Sequence, residues 1–85
     1  MEIFETGSNY TIVLFNNENK GVYVLFSYKT PVAYNDVNGF NVTEQYFSST
    51  TTKHINKFLN GANYKIVKQE KIDNITSVKA WSPFK

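Results

Sequence analysis

The sequence predicts an α+β domain: an antiparallel sheet of about four strands, three of them in a meander, with one short helix packed on one face and a second helix or strand at the C-terminal end. Three observations lead there. Over residues 10–47, short runs rich in Val, Ile, Tyr and Phe alternate with turn clusters, as paired strands do. A single stripe at helical spacing follows, made of Ile55, Phe58, Leu59 and Ala62. The 85 residues are the length of one compact domain, and seven Phe, six Tyr and one Trp supply the large side chains that a small core needs.

Residues 10–15, YTIVLF, are apolar on both alternating faces and too short for a helix, which makes them a central strand. NNENKG at 16–21 is a turn cluster. The extended run at 22–34 puts Val22, Val24 and Phe26 on one face and Tyr23 and Leu25 on the other. Pro31 cannot donate to a ladder, so residues 29–31 are a bulge, a bend or an edge that splits this run in two. Asn38-Gly39, between Val37 and Phe40, carries the signature of a type I′ hairpin and pairs residues 32–37 with 40–47. In the latter strand Phe40, Val42 and Tyr46 share one face and Asn41, Thr43 and Gln45 the other, so one face is core and one is wet.

The helix lies within SSTTTKHINKFLNG, residues 48–61. Thr50 or Thr51 is placed to cap its start, and Gly61 to end it in the left-handed conformation. Opposite the apolar stripe lie Lys53, Asn56, Lys57 and Asn60. Lys53 and Lys57 are a like-charge pair at i, i+4, a conflict of roughly a few tenths of a kcal/mol that a nearby anion would relieve. Residues 64–69 form a fourth strand with Tyr64, Ile66 and the Lys68 stem on one side. Beyond it, Ile72, Ile75 and Val78 recur every three residues, which allows a short helix capped near Asp73, while Thr76 and Val78 suit a strand equally well. Trp81 is expected to pack back on the domain.

Composition narrows the class of function. The chain has no cysteine, hence no disulfide framework and no thiolate metal site, and one histidine with scattered acids assembles neither zinc spacing nor a calcium loop. No metal and no cofactor is expected. MEIFETGSNY lacks the basic start and unbroken apolar run of a signal peptide, and no stretch approaches the roughly 20 apolar residues of a membrane span, so a cytoplasmic protein without membrane contact is expected.

Charge is unevenly spread. Residues 1–44 carry five acids against two lysines, and residues 45–85 carry seven lysines against Glu70 and Asp73. Residues 45–69 hold Lys53, His54, Lys57, Lys65 and Lys68 with no acid at all, which marks either an anion-binding face or ordinary solvated surface. All nine basic residues are lysines; with no arginine fork to read base edges, any nucleic-acid contact would lean on the backbone.

Candidate site residues follow from these patterns. His54 would need a nucleophile and an orienting carboxylate to act as a base, and its neighbours in sequence supply neither acid; a packed or backbone-bonded histidine is the plainer expectation. Thr50, Thr51 and Thr52 open a helix, where a phosphate would find free N–H groups, although a cap alone explains them. Six tyrosines exceed what one small core needs, so Tyr28 and Tyr46, with Lys53, Lys57, Lys65, Lys68, His54 and Asn56, are candidate contacts for a protein or for unpaired bases.

SYKTPVAY, residues 27–34, and YFSSTTTKHINKFL, residues 46–59, together resemble a family of small uncharacterised domains found in phages and in Gram-positive bacteria carrying mobile elements. The residues that carry the likeness are Tyr28, Thr30, Pro31, Val32, Ala33, Tyr46 or Phe47, Ser48, Thr51, Thr52, His54, Ile55, Asn56, Phe58 and Leu59, within residues 22–60. The resemblance implies a phage-like gene and brings no activity with it. The expectation is a non-enzymatic protein, acting in the host cytoplasm, that binds an unknown host or phage protein, for example to inhibit a defence or replication protein. A weak nucleic-acid binder is the alternative, and a small enzyme using His54 a distant one.

Overall fold

The computed structural model describes residues 2–7, 9–17 and 20–76. Its elements in chain order are β1 (Glu2–Gly7), β2 (Tyr10–Asn17), β3 (Lys20–Ser27), β4 (Thr30–Asp36), β5 (Gly39–Thr43), α1 (Ser49–Leu59), β6 (Tyr64–Val67) and α2 (Gln69–Thr76). Strands β1 to β5 pair antiparallel, each with the next, and α1 then carries the chain across so that β6 joins β5 in parallel. The α+β class, the meander and the helix on the sheet are as the sequence predicts. The sheet has six strands in place of about four: the run at 22–34 divides into β3 and β4, and EIFETG adds an edge strand that has no apolar alternation to announce it.

The proline expectation is met in detail. β3 turns into β4 through Tyr28 and Lys29, with Tyr28 at φ 60°. Leu25 pairs Ala33 and Phe26 pairs Pro31, so Val32 is an extra residue on β4, a bulge. Pairing with β5 begins only at Ala33, which leaves Pro31 where its missing N–H breaks no ladder on that side. The bulge also lets the neighbours Val32 and Ala33 both join the same core cluster, which strict alternation forbids.

The β4–β5 hairpin forms, but not with the predicted register or turn: Asp36 pairs with Gly39 and Asn35 with Phe40, so Val37 and Asn38 are the loop residues, where a turn at Asn38-Gly39 would set Val37 opposite Phe40. Only Gly39 takes a positive φ, 112°, whereas type I′ needs two such residues between the strands. Asp36 shapes the turn instead, its Oδ1 accepting from the Asn38 N–H at 2.8 Å.

Both faces of the sheet are covered. On one side Tyr10, Ile12, Leu25, Val32, Ala33 and Val42 meet Leu59, with Ile55 and Phe58 of α1 packed beside them. On the other, Val13, Phe15, Val24, Phe26 and Tyr34 meet Ile72 of α2. The expected wet face of β5 is therefore corrected: Asn41 and Thr43 are buried, the Asn41 amide donating to the Gly39 carbonyl at 3.2 Å and Thr43 Oγ1 accepting from the Gln45 N–H at 3.1 Å.

The ambiguous tail is helical. Ile72 is fully buried and Ile75 lies one turn on, on the same side, which supplies the burial that a strand at this place would lack. The helix starts at Gln69, ahead of the Asp73 expected to cap it. Gln69 Nε2 donates to the Pro31 carbonyl at 2.7 Å and to Asp73 Oδ1 at 2.9 Å, tying α2 to β4 beside the bulge. Val78 and Trp81 lie outside the described residues.

Candidate functional site

Ser48, one residue before α1, is extended, and its Oγ accepts from the Thr51 N–H at 3.1 Å. It takes the capping role expected of Thr50 or Thr51, because Thr51 is turned into the protein and buried. At the other end Asn60, at φ 48°, is the left-handed cap, and Gly61, at φ 84°, continues the left-handed turn.

The three threonines do not converge. Thr50 is exposed, Thr52 Oγ1 donates to the Ser48 carbonyl at 3.1 Å, and Thr51 Oγ1 lies 2.9 Å from Ser27 Oγ in the interior. Ser27 in turn lies 2.7 Å from His54 Nδ1. With Ser48 Oγ donating to Thr51 Oγ1 at 3.2 Å, a consistent direction runs from Ser48 through Thr51 and Ser27 to His54, leaving the His54 proton on Nε2. The imidazole also meets the Tyr10 ring edge-on at 5.4 Å and the Tyr28 ring at 6.1 Å. His54 is thus a packed histidine, one of the two expectations, held by side chains of β2 and β3 and by a ring in the turn after β3.

Helix α1 leaves an open groove along each flank. One, of about 440 Å³, is lined by Tyr10, Ile12, Tyr23, Asn35, Phe40, Lys57 and Phe58. Its rings are engaged with one another: Phe40 and Phe58 meet edge-on at 5.4 Å, and Lys57 Nζ sits 4.7 Å above the Tyr10 ring. Lys57, opposite the apolar stripe in the sequence reading, is exposed but lays its ammonium group over a ring of the sheet.

The second groove, of about 230 Å³, runs between α1 and β6. Val42, Ile55 and Leu59 line it, and Tyr46, Tyr64 and Ile66 stand around it 73%, 52% and 58% exposed. Asn56 joins this lining, whereas Tyr28, 46% exposed, sits at the far end of β3 against His54.

The predicted lysines fall into two groups. Lys53 and Lys57 belong to α1. Lys65 shares the α2 side of β6 with Val67, as strand alternation requires, and Lys68 lines a shallow hollow with Val67, Glu70, Lys71 and Asn74 on that same side. The sheet separates the two pairs, so they do not make one stripe.

The model of the Family of unknown function (DUF8033) matches residues 1–74. The chain belongs to that family. The DUF8033 match reaches well past the 22–60 segment of the sequence resemblance and takes in all six strands and most of α2. No curated protein and no solved structure matches the chain. Two features of this DUF8033 domain escape a reading of sequence. Ser27 lies next to the turn and 27 residues from His54, and it meets the helix only because α1, after β4 and β5, passes back over the sheet to β3. Tyr64 and Ile66 do share one side of a strand, but the Lys68 stem expected with them lies with Val67 on the other; the two are exposed because β6 is outermost and α1 packs on the strands inside it. No helix among the described residues is long and apolar enough to cross a membrane.

Proposed function

We propose that this chain is a non-catalytic binding module that holds a protein partner at the groove between α1 and β6. The observation that carries this reading is the ring of Tyr46, Tyr64 and Ile66, each more than half exposed around one groove in which Val42, Ile55 and Leu59 stand among polar residues such as Thr52 and Asn56. Three large side chains held in water together, with tyrosine at two of the positions, fit a contact surface better than solvated surface. The larger groove offers less, since its Tyr10 is only 5% exposed and its rings already pack on one another.

The Ser27–His54 contact supports structure over chemistry. A serine nucleophile needs an open path to its substrate, and Ser27 is 2% exposed. A nucleic-acid reading loses support from the division of the lysines, because tracking one backbone needs them on one face. The phage or mobile-element setting implied by the sequence resemblance would make the partner a host protein, and inhibition of a defence or replication protein its purpose.

A photocrosslinking residue placed at Tyr64 should trap one discrete protein in cells that express the chain. The same residue at Val37, 87% exposed on the β4–β5 turn, should trap none. Equal trapping from both positions, or none from Tyr46, Tyr64 and Ile66 alike, would count decisively against the reading.

A further inference from the structure

The outer edge of β6 has a definite chemistry. Val67 carbonyl accepts from the Glu44 N–H at 2.8 Å, so residue 67 turns its backbone toward the β5 side. N–H and C=O groups alternate sides along a strand, which turns Lys65 the same way and leaves those of Tyr64 and Ile66 pointing outward. β6 is the last strand of the sheet, with β5 as its one paired neighbour among the described residues.

The two sides of that edge differ. Toward α1 stand Tyr64 and Ile66, beside the apolar groove, with Glu44 the acid in its lining. Toward α2 stand Lys65 and Lys68, joined by Lys71, against Glu70 and Asp73 of α2, a balance that stays positive. A strand laid along this edge would send alternate side chains to each side. Apolar ones would enter the α1 groove, where Glu44 disfavours acids, and acidic ones would face the lysines.

We propose that β6 accepts a seventh strand, an extended partner segment in which apolar and acidic residues alternate. The proposal rests on the protein-binding reading above and specifies its partner. It disfavours a second copy of this chain on charge: an antiparallel β6 against β6 would bring together two α2 sides that are each net positive, with Lys65 of both copies on one side of the strand pair, and like charges across a strand pair are destabilising. The strand's four residues and its lysine, which discourage indiscriminate edge pairing, are compatible with a charged guest.

The test uses the full chain, labelled with nitrogen-15, and three capped seven-residue peptides: alternating valine and glutamate, alternating valine and lysine, and the glutamate composition in two blocks. The alternating acidic peptide should shift the Tyr64 and Ile66 amides and slow hydrogen exchange at Ile66 N–H, with the other two binding at least about tenfold more weakly. Lys65→Glu with Lys68→Glu should exchange the preference, losing the glutamate peptide and gaining the lysine one. Ile66→Pro, which removes an outward N–H and no bond to β5, should weaken the acidic peptide by a similar factor. No shift at residues 64–66 with any peptide overturns the proposal, as does equal binding of alternating and blocked sequences or an unchanged preference after the charge exchange. Shifts at these amides that grow with protein concentration alone would assign the edge to a second copy, and shifts with a single-stranded oligonucleotide but no peptide would assign it to nucleic acid; either overturns it. Trapping at Tyr64 without peptide binding would leave the protein-binding reading standing and remove strand addition.

Discussion

Ser27 joins the two segments on which the sequence resemblance rests. It belongs to SYKTPVAY, while Thr51 and His54 belong to the helical segment, and its hydroxyl lies within hydrogen-bond distance of both, at 2.9 and 2.7 Å. Two of the candidate site residues, Thr51 and His54, thus meet Ser27 where α1 crosses the end of β3. Replacing Ser27 by Ala strands His54 Nδ1 beside a methyl group and removes the inward partner of Thr51. An unsatisfied buried polar group costs about 1–3 kcal/mol, so Ser27→Ala should lower the urea midpoint by that equivalent. Because the two side chains touch, Ser27→Ala and His54→Phe should combine with a coupling of roughly 0.5 kcal/mol or more. Strict additivity would mean that the contact contributes nothing to the fold. His54 was conspicuous in the sequence as the single histidine; Ser27 was not, because nothing local marks one serine as the residue that a distant histidine will meet.

At the scale of elements, local chemistry was legible and pairing beyond neighbours was not. The helix stripe, a hairpin near Asn38 and the break at Pro31 all depend on residues within a few positions of one another, and each appears in the fold, the hairpin with its loop moved to Val37-Asn38. The parallel partner of β6 depends on where a helix carries the chain, which side-chain periodicity does not encode. Caps show the same limit at finer grain. Five hydroxyl residues precede Lys53, and the one that caps is decided by which of the others is drawn inside: Thr51 is taken by Ser27, and Ser48 is left to accept from the Thr51 N–H. Ser48→Ala should therefore cost about 1 kcal/mol in thermal or urea unfolding, whereas Thr50→Ala, at an exposed position, should change stability by no more than a few tenths, on the order of its propensity difference. The reverse ranking would return the cap to the threonines.

For the whole molecule, the consequence of α2 is that a small sheet is sealed on both faces. Leu59 closes one core cluster and Ile72 the other, 6% and 0% exposed, and the strands between them contribute alternate residues to each. The composition implied a dense core, but the spacing of Ile72 and Ile75 alone left open whether the chain continued as strand or helix, since three-residue recurrence decides neither until a surface exists to bury it. Because β2, β3 and β4 each serve both clusters, neither can melt while the other keeps its shape. Leu59→Ala and Ile72→Ala should each cost about 2–5 kcal/mol, a large part of the roughly 5–15 kcal/mol that holds a domain together. Each should also leave a single transition, with tyrosine fluorescence and far-ultraviolet circular dichroism losing signal at the same denaturant concentration. A second, earlier transition confined to Ile72→Ala would show α2 detaching from a sheet that survives without it, and the two faces would then be independent layers instead of one cooperative core.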